Sequence, residues 1–126
     1  MADDANVRQK IHAALHDAAD ALERSIHTVE PVAAQRDMRS LHFDLLAALA
    51  AVPLENPARL AKAVEKVAHR LERAEIVLAR AAKRRPKYKI PSFQCKTDCE
   101  ACLDAASSML ERALCYALLA RCVAKG

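Results

Sequence analysis

The chain is predicted to be all-α: an up-and-down antiparallel four-helix bundle forming one domain over residues 1–126. Three observations lead there. Apolar residues recur at spacings of three and four through most of the chain, the period of a helix with one buried face. Runs that alternate polar with β-branched or aromatic residues do not occur, and the chain holds two Tyr, two Phe and no Trp, so strand signals are missing. Prolines fall between the periodic segments, where they end helices or open them.

The first helix is expected over 4–29, with Val7, Ile11, Leu15, Ala18, Leu22 and Ile26 on one stripe. Pro31, preceded by Glu30, sits at a favoured first-turn position and opens the second, over 31–52. Its stripe is Ala34, Met38, Leu41, Leu45, Leu49 and Val52, and Pro53 stops it. Asn56 and Pro57 form an N-cap and first-position pair for the third helix, 57–84, whose stripe is Leu60, Val64, Val67, Leu71, Ala74 and Leu78. Thr97 and Glu100 have the spacing of a capping box, which places the start of the fourth helix, 98–124. The connection before it, RRPKYKIPSFQCK from Arg84 to Lys96, is basic and kept extended by two prolines.

Composition narrows the function. The longest apolar run, LLAALAAV at 45–52, is too short to span a bilayer. MADDANVRQK has no apolar signal-peptide core, so a cytoplasmic protein with reduced thiols is expected, and an odd cysteine count agrees. Phosphate-binding loops, dinucleotide fingerprints and nucleophile elbows need glycines, and the chain has one, Gly126. Glu-x-x-His, the di-iron signature of helical bundles, does not occur. The expectation is a non-enzymatic interaction module that needs no cofactor.

All five cysteines lie between Cys95 and Cys122. On one continuous helix, Cys99 and Cys102 face the core, while Cys115 and Cys122 project from the other side. Cys102 and Cys115 would then be about 20 Å apart along the axis, too far to share a metal ion. The plain reading of Cys99 and Cys102 is that they are small core hydrophobes. The competing one is a metal- or redox-responsive site. Cys95, Cys99 and Cys102 could hold zinc or an iron–sulfur cluster with a further ligand, and Cys99-Glu-Ala-Cys102 could be a redox pair at a helix N-terminus. The spacing of that trio resembles the cluster motif of radical-SAM enzymes, but a helix in an all-α chain is not the loop of a partial barrel.

Apolar residues off the core stripes, namely Phe43, Ile76, Val77, Cys115, Leu118, Leu119 and Cys122, are candidate interface positions for a homo-oligomer or a protein partner. The basic run Lys83, Arg84, Arg85, Lys87, Tyr88 and Lys89 is a candidate surface for RNA or DNA, with cations for phosphates and a ring for stacking. Its competing reading is a solvated cationic helix end. His12, His16 and Asp20 form a ladder on the flank of the first helix that reads as solvated surface.

Overall fold

A computed structural model of the chain describes residues 4–26, 32–81, 95–106 and 109–125. All elements among them are helices: α1 (Asp4–Ile26), α2 (Val32–Ala51), α3 (Pro57–Ala81), α4 (Cys95–Ala105) and α5 (Met109–Lys125). The all-α expectation holds, with five helices where four were predicted. The single helix expected over 98–124 is two, because the chain leaves the helix after Ala105 and re-enters at Met109. Thr97 lies inside α4, which begins at Cys95.

The first three helices form for the reasons their patterns give. Ile11, Leu15, Ala18, Leu22 and Ile26 of α1 are buried, as are Met38, Leu41 and Leu45 of α2 and Val52 just past its end. In α3 the buried stripe is Leu60, Val64, Val67 and Leu71, with Ala74 half-buried against it. Asn56 caps α3 as its sequence requires: the Arg59 amide donates to its side-chain oxygen at 2.9 Å, and the Leu60 amide donates to its carbonyl at 2.9 Å. Predicted boundaries at 27–29, at Pro31 and at 82–84 lie outside the described residues.

Neighbours in space are α1 with α2, α2 with α3, α3 with α5, α5 with α1, and α4 with α5. Contacts along the seams show the directions. Arg8 near the start of α1 donates to the carbonyls of Val52 and Glu55 past the end of α2, while Glu23 near the end of α1 faces His42 at 4.0 Å. The two helices therefore run in opposite senses, and Arg8 satisfies carbonyls that the end of α2 leaves free. Asp44 of α2 pairs with Arg70 of α3, and Arg121 of α5 bridges Glu72 at 2.9 Å and Glu65 at 3.7 Å on α3. Such half-exposed pairs add little stability each but mark the register of the seams.

The core is thin-walled. Ala14, Ala18, Ala48, Ala68, Ala113, Ala117 and Ala120 are all buried, so the helices can approach closely around Leu15, Leu22, Leu45, Leu71 and Leu114. Leu22→Ala and Leu45→Ala should each lower stability by about 2–5 kcal/mol, and Leu54→Ala, whose side chain is 82 % exposed, by no more than about 0.5 kcal/mol. Equilibrium urea unfolding checks this through the midpoints at constant m.

Candidate functional site

The chemistry-bearing residues converge where α4 folds back on α5. Each arm of this hairpin carries two cysteines separated by six residues: Cys95 and Cys102 on α4, Cys115 and Cys122 on α5. Cys102 and Cys115 form a disulfide with their Cα atoms 5.7 Å apart. Cys122 is also disulfide-bonded. Cys99 is a free, buried thiol, and its Sγ donates to the carbonyl of Cys115 at 3.9 Å.

Several sequence expectations are corrected here. The separation of about 20 Å assumed a continuous helix. Reversal between Ala105 and Met109 instead brings the two cysteines to bonding distance. Cys102 is neither an unpaired core residue nor available to a metal alongside Cys95 and Cys99, because its sulfur is covalently occupied. No group of three metal-ligating side chains occurs among the described residues. Reduced thiols throughout are likewise overturned: disulfides persist under oxidising conditions and are transient in reducing ones. Cys99 alone among the described cysteines keeps the role of a buried small hydrophobe.

The interface set divides. Phe43 is 72 % exposed and Val77 is 63 % exposed, and Ile76 is half-buried. Cys115 and Leu118 are buried inside the chain, and Leu119 is half-buried against the core. Those α5 positions look off-stripe only on a helix with one covered face; α5 is covered by α1, α3 and α4. Sequence reasoning missed Leu46 and Leu54, which are also exposed. Their signal was a second stripe on α2, since Phe43, Leu46 and Ala50 repeat at three and four on the face opposite Leu41 and Leu45. Val77 lines a groove of about 350 Å³ between α2 and α3, together with Asp37, Ser40, Arg70 and Arg73.

Lys83, Arg84, Arg85, Lys87, Tyr88 and Lys89 lie outside the described residues. His12, His16 and Asp20 are exposed on α1, and Asp20 is engaged by Arg24 at 3.3 Å. Two carboxylates that the stripes did not single out, Glu75 and Glu111, are buried and engaged in interactions. Burial of a carboxylate requires such compensation.

No protein-family model matches the chain, and neither a curated protein nor a solved structure is significantly similar to it. The chemistry must therefore be read from the residues themselves. A disulfide closing a loop of this length stabilises a fold by on the order of 3 kcal/mol, chiefly by restricting the unfolded chain. Burial pushes the Cys99 thiol above its ordinary value of 9.0, and the carboxylates of Glu100 and Asp17 push it the same way. The thiol is thus held protonated and slow to react.

That shift has a signed consequence. An unfolded Cys99 begins to ionise near pH 9.0 while the folded residue stays neutral. Stability from this group is intact below that pH and declines as pH rises toward the folded value. The urea midpoint of the native chain should fall more steeply above pH 9.0 than that of Cys99→Ala, when both are followed under non-reducing conditions.

Proposed function

We propose that the chain is a non-enzymatic interaction module, an up-and-down antiparallel bundle of α1, α2, α3 and α5, that associates with a second copy of itself through the outer face of α2. The reading is carried by the exposure of Phe43 and Leu46, at 72 % and 44 %, on the outer side of α2, with Leu54, at 82 %, in the turn that follows it. Ala47 and Ala50 between them are exposed as well, so a partner backbone can approach closely over small side chains.

A second copy suits this face when the two α2 helices run antiparallel. The face is cationic at its beginning, where Arg36 and Arg39 are exposed, and apolar from Phe43 onward. Antiparallel pairing sets each arginine pair against the negative end of the opposite helix and near its Glu55, whereas parallel pairing stacks the arginines together. Phe43 of one copy then lies over Ala47 and Ala50 of the other. Two large apolar side chains on each α2 make a small seam, so the dimer is a weak one.

A second reading, a redox-responsive protein, draws on the disulfide of the α4–α5 hairpin beside the buried free thiol of Cys99.

Light scattering coupled to gel filtration tests self-association. The average mass should rise from monomer toward dimer between low and high micromolar concentration, and Phe43→Glu should hold the chain monomeric by weakening the contact by about 2 kcal/mol or more. A mass that stays monomeric over that range rejects the proposal.

A further inference from the structure

We propose that the Cys102–Cys115 disulfide is a thiol–disulfide exchange site, at which a dithiol reductant opens the hairpin, releases α4 from α5 and uncovers the thiol of Cys99.

Four observations carry it. Among the described residues α4 packs on α5 and on no other helix, so its position depends on that one contact. The contact is poor in apolar burial: Cys99 is buried and Cys102 and Leu103 are half-buried, while Glu100, Ala101 and Asp104 are exposed. Covalent linkage supplies what burial does not. The disulfide between Cys102 and Cys115 ties α4 to α5 and makes the hairpin a clasp. Finally, Cys99 is a buried thiol set against the backbone of Cys115, inside the clasp.

The exchange balances as follows. One thiolate of the dithiol attacks Cys102 Sγ, the more accessible sulfur, since Cys102 is half-buried and Cys115 is 1 % exposed. A mixed disulfide forms, the Cys102–Cys115 bond breaks, and Cys115 leaves as a thiolate that takes up a proton. The second thiol of the reductant loses its proton and attacks its own sulfur in the mixed disulfide, expelling Cys102 as a thiol. Two electrons pass to the protein and the reductant leaves as a cyclic disulfide. What remains on α4 is too little apolar surface to hold it, and the face of α5 around Cys115 and Leu118 becomes accessible. Cys99, protonated and shielded in the closed clasp, becomes a reactive thiol in the open one.

Alkylation of Cys99 by iodoacetamide, quantified by peptide mass, reads the state of the clasp with and without dithiothreitol. Opening should speed Cys99 alkylation by about tenfold or more while far-UV circular dichroism retains the bundle signal, as local release of one helix requires. The double variant Cys102→Ser, Cys115→Ser should show faster Cys99 alkylation than the native chain without reductant. Should that variant misfold, the reduced native chain decides. Two results overturn the proposal: Cys102 and Cys115 becoming alkylated while Cys99 stays as slow as before, or the whole helical signal being lost in one step on reduction. Mass measurements on the same samples report dimerisation through α2 separately, so either idea can fail without the other.

Discussion

Every side of α5 carries apolar or small residues, and in water such a helix requires neighbours on every side. Leu110, Ala113, Leu114, Ala117, Leu118 and Ala120 are buried, and so is Cys115. Flanking α1 and α3 cover two sides, and the third is left for α4. The reversal after Ala105 follows from that demand. Continuing straight, the residues of α4 would leave one side of α5 in water; folding back, they cover it. The disulfide then secures a cover whose own apolar content is small.

The same demand arises in α2 and is met differently. From Leu45 to Ala51 that helix is also apolar all round. Its inner side is buried against α1 and α3, and Arg8 and Asp44 anchor its end and its flank. Its outer side has no neighbour among the described helices. Among the described residues the chain itself covers the sides of α5 and leaves the outer side of α2 uncovered.

Ionisable groups follow from this arrangement and do not drive it. Arg70, Arg121 and His42 sit at the rims of the seams, where pairing costs little desolvation and adds little stability. Glu75, Glu111 and Cys99 are buried instead, and the neutrality of the Cys99 thiol is maintained by burial and by nearby carboxylates.

What the sequence determined by itself was everything expressible as local periodicity and punctuation. Most described positions of the α1, α2 and α3 stripes are buried, with Val7, Leu49 and Ala74 half-buried, and the Asn56–Pro57 pair predicts the start of α3. Those signals are short-range, so they survive whatever the rest of the chain does. The division of the last helix was decided in tertiary structure. Ala105-Ala106-Ser107-Ser108 contains neither glycine nor proline, and its residues tolerate helix and turn alike. Ser108 and Glu111 have the spacing of a capping box, a legible sign of a new start, but the stronger periodicity around it reads through. Rotational angles and axial distances computed on an unbroken helix then placed Cys102 and Cys115 far apart. Only the packing of α4 on α5, a contact between residues distant on any straight helix, could bring those sulfurs together and turn an apparent interface around Leu118 into core.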